Sequence, residues 1–327
     1  MVTRREEHVH GPAAGADARW LRAALALILL FMAGEVTAGL AAHSLALISD
    51  AAHMLTDAAS IALVLITARL AARPPAGGYT YGLKRTEIMS AQANGITLVL
   101  LAVWLCYTAI RHLISPPSVD GGTVLIVALA GVAVNVAATM MIARAGGRDQ
   151  DKLNVAGAFQ HIVTDLYAFV ATAAAGLIIL TTGFNRADPI ATLVVVVLML
   201  RAGTGLIRDS GRIFLEAAPA GLDPAAVGAA LAARPHVAEI HDLHIWEITS
   251  GQPAASAHVL VAPGEDCHAV RADLESYLSG EYGITHATLQ VDHAGLPVAP
   301  GLIGLAEQHC DDTHGPAYRP GGPDTRS

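Results

Sequence analysis

Six apolar stretches, near residues 20–40, 44–71, 87–113, 122–143, 155–181 and 189–207, constrain this chain more than any other feature. A bilayer core of about 30 Å takes about 20 mostly apolar residues at a helical rise of about 1.5 Å each. Each stretch meets that length, so the first two thirds of the chain read as six transmembrane helices. Only Ala-Ala-His-Ser separates the first two, which predicts a tight membrane hairpin. Charged residues make up 15% of the sequence, against about 25% in an ordinary globular domain, which argues against a soluble enzyme.

Basic residues orient the helices, because cytoplasmic loops near helix ends are enriched in Lys and Arg. Arg4, Arg5, Arg19 and Arg22 precede the first helix. Arg69, Arg73, Lys84 and Arg85 follow the second, Arg144, Arg148 and Lys152 the fourth, and Arg201, Arg208 and Arg212 close the sixth. The count is 14 on that side against Arg111 and Arg186 on the other, which places both termini in the cytoplasm. The first 19 residues are polar for too long to be a signal peptide and read as a cytoplasmic arm. Cys106, Cys267 and Cys310 are too few and too scattered for a disulfide framework.

The pattern changes after Arg212. Residues 1–212 hold 16 basic and 13 acidic side chains, whereas 213–327 hold 4 and 15. Such an acidic segment is unsuited to nucleic acid and suited to cations. Helical and alternating patterns between 213 and 293 follow the order αββαβ, a small α+β domain with helices on one sheet face. Residues 294–327, rich in Gly, Pro and charge, read as a disordered tail.

Two patterns carry chemistry. His53 and Asp57 are four apart within the second apolar stretch, and His161 and Asp165 repeat that spacing in the fifth. Residues at i and i+4 share one helix face. An Asp near the bilayer centre costs about 2.5–3.5 kcal/mol on insertion scales, so such groups face a partner or a polar path. Two imidazoles and two carboxylates form a four-ligand set suited to tetrahedral Zn²⁺. The alternative for either pair alone is hydrogen bonding between helices. Glu35 and Asp50 are further acids in apolar surroundings, read as groups beside the site or along a proton path, or otherwise as residues near a membrane interface. His43 reads as an accessory ligand at the outer mouth or an interfacial bystander.

The segments HSLALISDAAHMLTDAAS, YTYGLKRTE, HIVTDLYAF, HDLHIW, SAHVLV and THATLQVD, in that order over residues 20–293, resemble the cation diffusion facilitator family, in particular its zinc-transporting bacterial branch. The resemblance implies a homodimeric metal–proton antiporter with a metallochaperone-like cytoplasmic domain. It also implies a transport site at His53, Asp57, His161 and Asp165. In the cytoplasmic domain, His241, His258 and Asp292 resemble positions that bind regulatory metal, with His286 or His293 as completing groups; the alternative is that these are sheet-surface histidines. Gln290 stands where some relatives have a histidine. His244 reads as a packing residue. The connection ARAGGRDQDKLN carries no histidine, unlike the His-rich loop of many relatives. His8 and His10, Cys267 with His268, and His309 with Cys310 and His314 have metal-binding composition only.

Proton exchange follows from ligand chemistry, since imidazole binds metal deprotonated and titrates near neutral pH. Metal and protons would then compete for His53 and His161. An intramembrane zinc hydrolase would need an open metal position and a general base, and no HExxH is present. A membrane-bound metal sensor would need an output module beyond the small final domain. The expectation is a transporter in the cytoplasmic membrane that exports divalent cations, with zinc and protons as exchanged ions and lipid as its surroundings.

Overall fold

A computed structural model describes residues 18–145, 151–294 and 315–324. The chain divides into two compact units, Met1–Arg208 and Asp209–Ser327.

The first unit is helical: α1 (Ala18–Ala42), α2 (Leu45–Ala71), α3 (Thr86–Ile114), α4 (Gly121–Ala145), α5 (Asp151–Thr182) and α6 (Ala187–Phe214), the last running past the division. Helices α1, α2, α4 and α5 pack on one another, and α3 packs on α2. Small residues set the closest approaches, as expected where helices associate by close packing in an apolar solvent. A Cβ on Gly95 of α3 would lie 2.9 Å from the Gly203 carbonyl of α6, and one on Gly121 of α4 2.6 Å from the Gly176 carbonyl of α5.

Leu100, Trp104 and Tyr107 form an exposed apolar stripe on α3, a surface suited to lipid. Among the described residues, α3, Gly121–Ala138 of α4, and α6 are long and apolar enough to cross a membrane, while Ala26–Ala42, Leu45–Thr56 and Leu166–Thr182 are shorter apolar runs. Length and composition therefore support three of the six expected spans directly.

Hydrogen bonds lace one end of this unit. The α1–α2 turn is tight, as expected, and exposed His43 occupies it at φ 55°. The left-handed region is uncommon for residues other than Gly. Ser44 then caps α2 by accepting from the Leu47 amide at 3.2 Å. Asp188, at the start of α6, accepts from the Ser44 hydroxyl and from the amides of Leu45 at 2.7 Å and Ala46 at 3.3 Å. Asp120 donates its amide to the Ala42 carbonyl at 3.1 Å.

The second unit contains α7 (Pro224–Ala232), β1 (Val237–Thr249), β2 (Gln252–Val261), α8 (Cys267–Tyr282) and β3 (His286–His293), in the expected order. Asp223 and Asp266 cap α7 and α8. Val227, Leu231, Leu274 and Leu278 from the helices meet Ile240, Val259 and Leu289 from the sheet in one core. The tail departs from expectation. Residues 317–324 are not disordered but form β4 (Ala317–Arg319) and β5 (Gly322–Asp324), giving the sheet order β3-β2-β1-β4-β5. Tyr318 supplies the apolar anchor that composition alone concealed: it is buried and belongs to the core.

Candidate metal centre

The two HxxxD pairs fall within α2 and α5, and these two helices pack against each other. Two features hold them. The Ser44–Asp188 cap fixes the start of α2, and Phe169, one turn beyond Asp165, fixes α5. The Phe169 ring lies edge-on to Phe31 of α1 at 6.3 Å and occupies the space a Cβ on Gly131 of α4 would need, 2.1 Å from that position.

On α2, His53 is 7% exposed and Asp50, one turn earlier, 2%. Glu35 of α1 is 1% exposed and lies against Asp50. Three ionisable groups are thus buried together in an otherwise apolar helix pair. Such groups require a proton, a partner or a cation. The side chains of Asp57, His161 and Asp165 lie outside the described residues, as do His8, His10, His309, Cys310 and His314.

In the second unit, strand register decides which groups meet. His241 of β1 is paired directly with His258 of β2, and His258 with Gln290 of β3, so these three side chains form a row on one sheet face. The imidazoles of His241 and His258 stack edge-on at 5.4 Å between centroids. Asp292 is two positions farther along β3, on the same face, where the Gln290 amide nitrogen donates to it at 3.0 Å. His286 pairs with Ala254 at the opposite end of β3, and His293 Nε2 is 2.9 Å from the Glu265 carbonyl oxygen. Neither joins the row. Among the described residues no three His, Cys, Asp or Glu side chains are arranged to hold one ion.

Three participants escape sequence reading. A register shift after His241 inserts one extra residue in β1, and Asp242 takes φ 53° there. This bulge brings its carboxylate to 2.9 Å from His244 Nε2 and 3.9 Å from His258 Nε2. His244 is accordingly a half-exposed hydrogen-bond partner of Asp242 rather than a packing residue. Glu239, 5% exposed, places one oxygen 3.2 Å from His241 Nδ1 and the other 2.8 Å from Arg319 Nε. Paired imidazoles with carboxylates on the same face have the donor chemistry of a zinc site.

Residues 21–215 match the cation efflux transmembrane domain, and 219–294 the cytoplasmic domain of cation efflux proteins. The chain belongs to the cation efflux family, the cation diffusion facilitators. It is 33% identical over 290 residues, 88% of this chain and 92% of the relative, to the cadmium, cobalt and zinc/H⁺-K⁺ antiporter of Bacillus velezensis. To the zinc transporter ZitB of Pectobacterium atrosepticum it is 33% identical over 308 residues, 94% of this chain and 91% of the relative. The solved metal-bound C-terminal domain of the CzcD transporter from Cupriavidus metallidurans is 35% identical, covering 22% of this chain and 99% of that domain at a TM-score of 0.21. Members of the family transport metal cations, so this protein is a metal transporter and not an enzyme. In this cation efflux protein the helices bearing the HxxxD pairs belong to the transmembrane domain, and the His241–His258 row to the cytoplasmic one.

Proposed function

We propose that this protein exports Zn²⁺ from the cytoplasm in exchange for protons, through a tetrahedral site formed by His53, Asp57, His161 and Asp165. The observation that carries the reading is the packing of α2 against α5, each with a His and an Asp one turn apart. The relatives, a cadmium, cobalt and zinc/H⁺-K⁺ antiporter and a zinc transporter, support zinc as cargo, with cadmium and cobalt as further substrates, and proton exchange. All six helices span the cytoplasmic membrane in this reading, with both termini inside and lipid against the exposed stripe of α3. The match to a cytoplasmic dimerisation domain supports a homodimer.

The exchange rests on imidazole chemistry. His53 and His161 bind zinc as neutral ligands and release it when protonated. Asp57 and Asp165 neutralise the ion in a medium where an uncompensated charge is expensive. Asp50, one turn before His53, and Glu35, against Asp50, serve as the proton path toward it. In the cytoplasmic domain, His241, His258 and Asp292 form a regulatory zinc site, with the ion drawing Asp292 away from Gln290.

The test is zinc flux into vesicles containing only this protein, with an imposed proton gradient and equal potassium on both sides. Zinc should accumulate in the acidic compartment without nucleotide and leak back once an ionophore collapses the gradient. Accumulation that survives collapse would overturn the exchange.

A further inference from the structure

We infer that the gap between α7 and the outer edge of β1 is a docking site for an extended Tyr-Arg segment, and that residues 317–324 of the chain itself occupy it as a displaceable strap. The strap closes an edge of the cytoplasmic sheet that would otherwise be open to strand pairing with another chain.

The site reads side chains more than backbone. Without the segment β1 would be the edge strand, since the sheet runs β3-β2-β1-β4-β5, and an uncovered edge is a template for strand addition. Register shifts between Val237 and Glu239 and between His241 and His244 each insert an extra residue in β1, which leaves a short regular piece of edge between them. The segment makes a single cross-strand pairing there, Ile240 with Tyr318, and backbone bonding alone holds so short a strand poorly. Tyr318 supplies what is missing. It is 4% exposed, its ring lies within 2.4 Å of where a Cβ on Gly228 of α7 would stand, and it joins the core of Val227, Leu231 and Ile240. Beside it, Arg319 Nε donates to Glu239 Oε2 at 2.8 Å, with side-chain exposures of 48% and 6%. A carboxylate so buried needs a compensating charge, and the segment brings one.

The segment is built as a ligand for this site. Arg319 and Gly322 pair across a two-residue turn, Pro320-Gly321, with Gly321 at φ 101°. Proline at the first turn position and glycine at the second suit a turn that needs positive φ there. The hairpin therefore loses little entropy on docking and presents Tyr318 and Arg319 together. Residues 295–314 join it to the end of β3, and covalent attachment raises its effective concentration to about millimolar. Modest intrinsic affinity is then enough to keep the site filled. A strap held by one ring and one ion pair is also released by a competitor that offers both.

The experiment uses the full chain in detergent, the same chain truncated after residue 314, and a fluorescent peptide of residues 315–324. The truncated chain should bind the peptide, and the full chain should bind it at least about 10-fold more weakly because its own segment fills the site. Tyr318→Ala in the peptide should cost about 30-fold, and Arg319→Gln about 10-fold. Gly228→Ala puts a methyl where the ring sits while favouring the helix. In the full chain it should raise amide exchange across 317–324 to that of an unprotected segment and leave exchange in α8 unchanged. A truncated chain that fails to bind the peptide with α8 still protected would overturn the docking site. Equal binding by the full and truncated chains, or by the Tyr318→Ala and unmodified peptides, would overturn the strap. If truncation unfolds the domain, Gly228→Ala decides, and unchanged exchange across 317–324 would refute the proposal. Protection of 317–324 that falls on dilution would mean that a second copy's segment fills the site, and would overturn docking within one chain.

Discussion

Replacing Asp188 by Ala should weaken the helical unit more than any single change at its surface. The Asp188 carboxyl accepts from the Ser44 hydroxyl and the first two amides of α2, and Asp188 is fully buried. Each such bond contributes about 1–1.5 kcal/mol, and a buried donor left without a partner adds a desolvation penalty of similar size. Three contacts therefore place the loss at about 3–5 kcal/mol. Asp188→Asn keeps the shape and one acceptor oxygen, so its loss should be about half of that. Ser44→Ala removes one donor to Asp188 and the acceptor for the Leu47 amide, and should cost about 1–2 kcal/mol. Equilibrium unfolding in mixed detergent micelles, followed by helix signal, measures all three. The Asp188→Ala/Ser44→Ala double variant should lose less than the two single losses added, because they share a bond. A loss below about 1 kcal/mol for Asp188→Ala would show that the α6 carboxyl does not hold α2, and would remove the account of how α2 is positioned.

Asp57→Ala and Asp165→Ala should each abolish zinc flux in vesicles while leaving insertion intact; normal flux in either would remove that residue from the site. His53→Asp should broaden selectivity toward harder or larger cations, so an unchanged zinc-to-cadmium ratio in the same assay would mean His53 does not coordinate. Gly131→Ala should cost about 1–3 kcal/mol through overpacking against Phe169, and Phe169→Leu in the same chain should recover part of it by making room, as read from unfolding midpoints. Burial raises the Tyr318 phenol above its ordinary value, with Asp223 adding to the shift. A raised acid stabilises docking below the unfolded value of about 10 and loses that contribution as pH rises through the folded value. A tyrosinate absorbance titration should show a late component missing in Tyr318→Phe, and an unchanged curve would contradict the docked tail.

The membrane helices, the HxxxD pairs and the αββαβ order are local patterns, and local patterns survive in one dimension. Apolar length needs only a run of residues, and a four-residue spacing needs only the pitch of a helix. What the pattern could not carry was anything set between distant segments. Nothing near Ser44 announces that its cap is completed by a carboxyl 144 positions later. Asp242 reads as an ordinary strand residue until the register shift in β1 turns it toward His244 and His258.

The tail is the clearest instance. Its Gly, Pro and charge predicted disorder, because average composition measures how much apolar surface a segment can bury and says nothing of a single well-placed ring. Tyr318 needs the gap over Gly228, and Arg319 needs a buried carboxylate eighty residues earlier in the chain. Hydropathy and charge balance marked a helical membrane protein with an acidic final domain, and the ordered motifs of the cation diffusion facilitators added metal transport, since all of these are properties of short segments. The pairing of His241 with His258 rather than with Asp292, and the C-terminal segment's place in the sheet, emerge in the folded chain alone, because register and docking depend on surfaces that exist once the chain has folded.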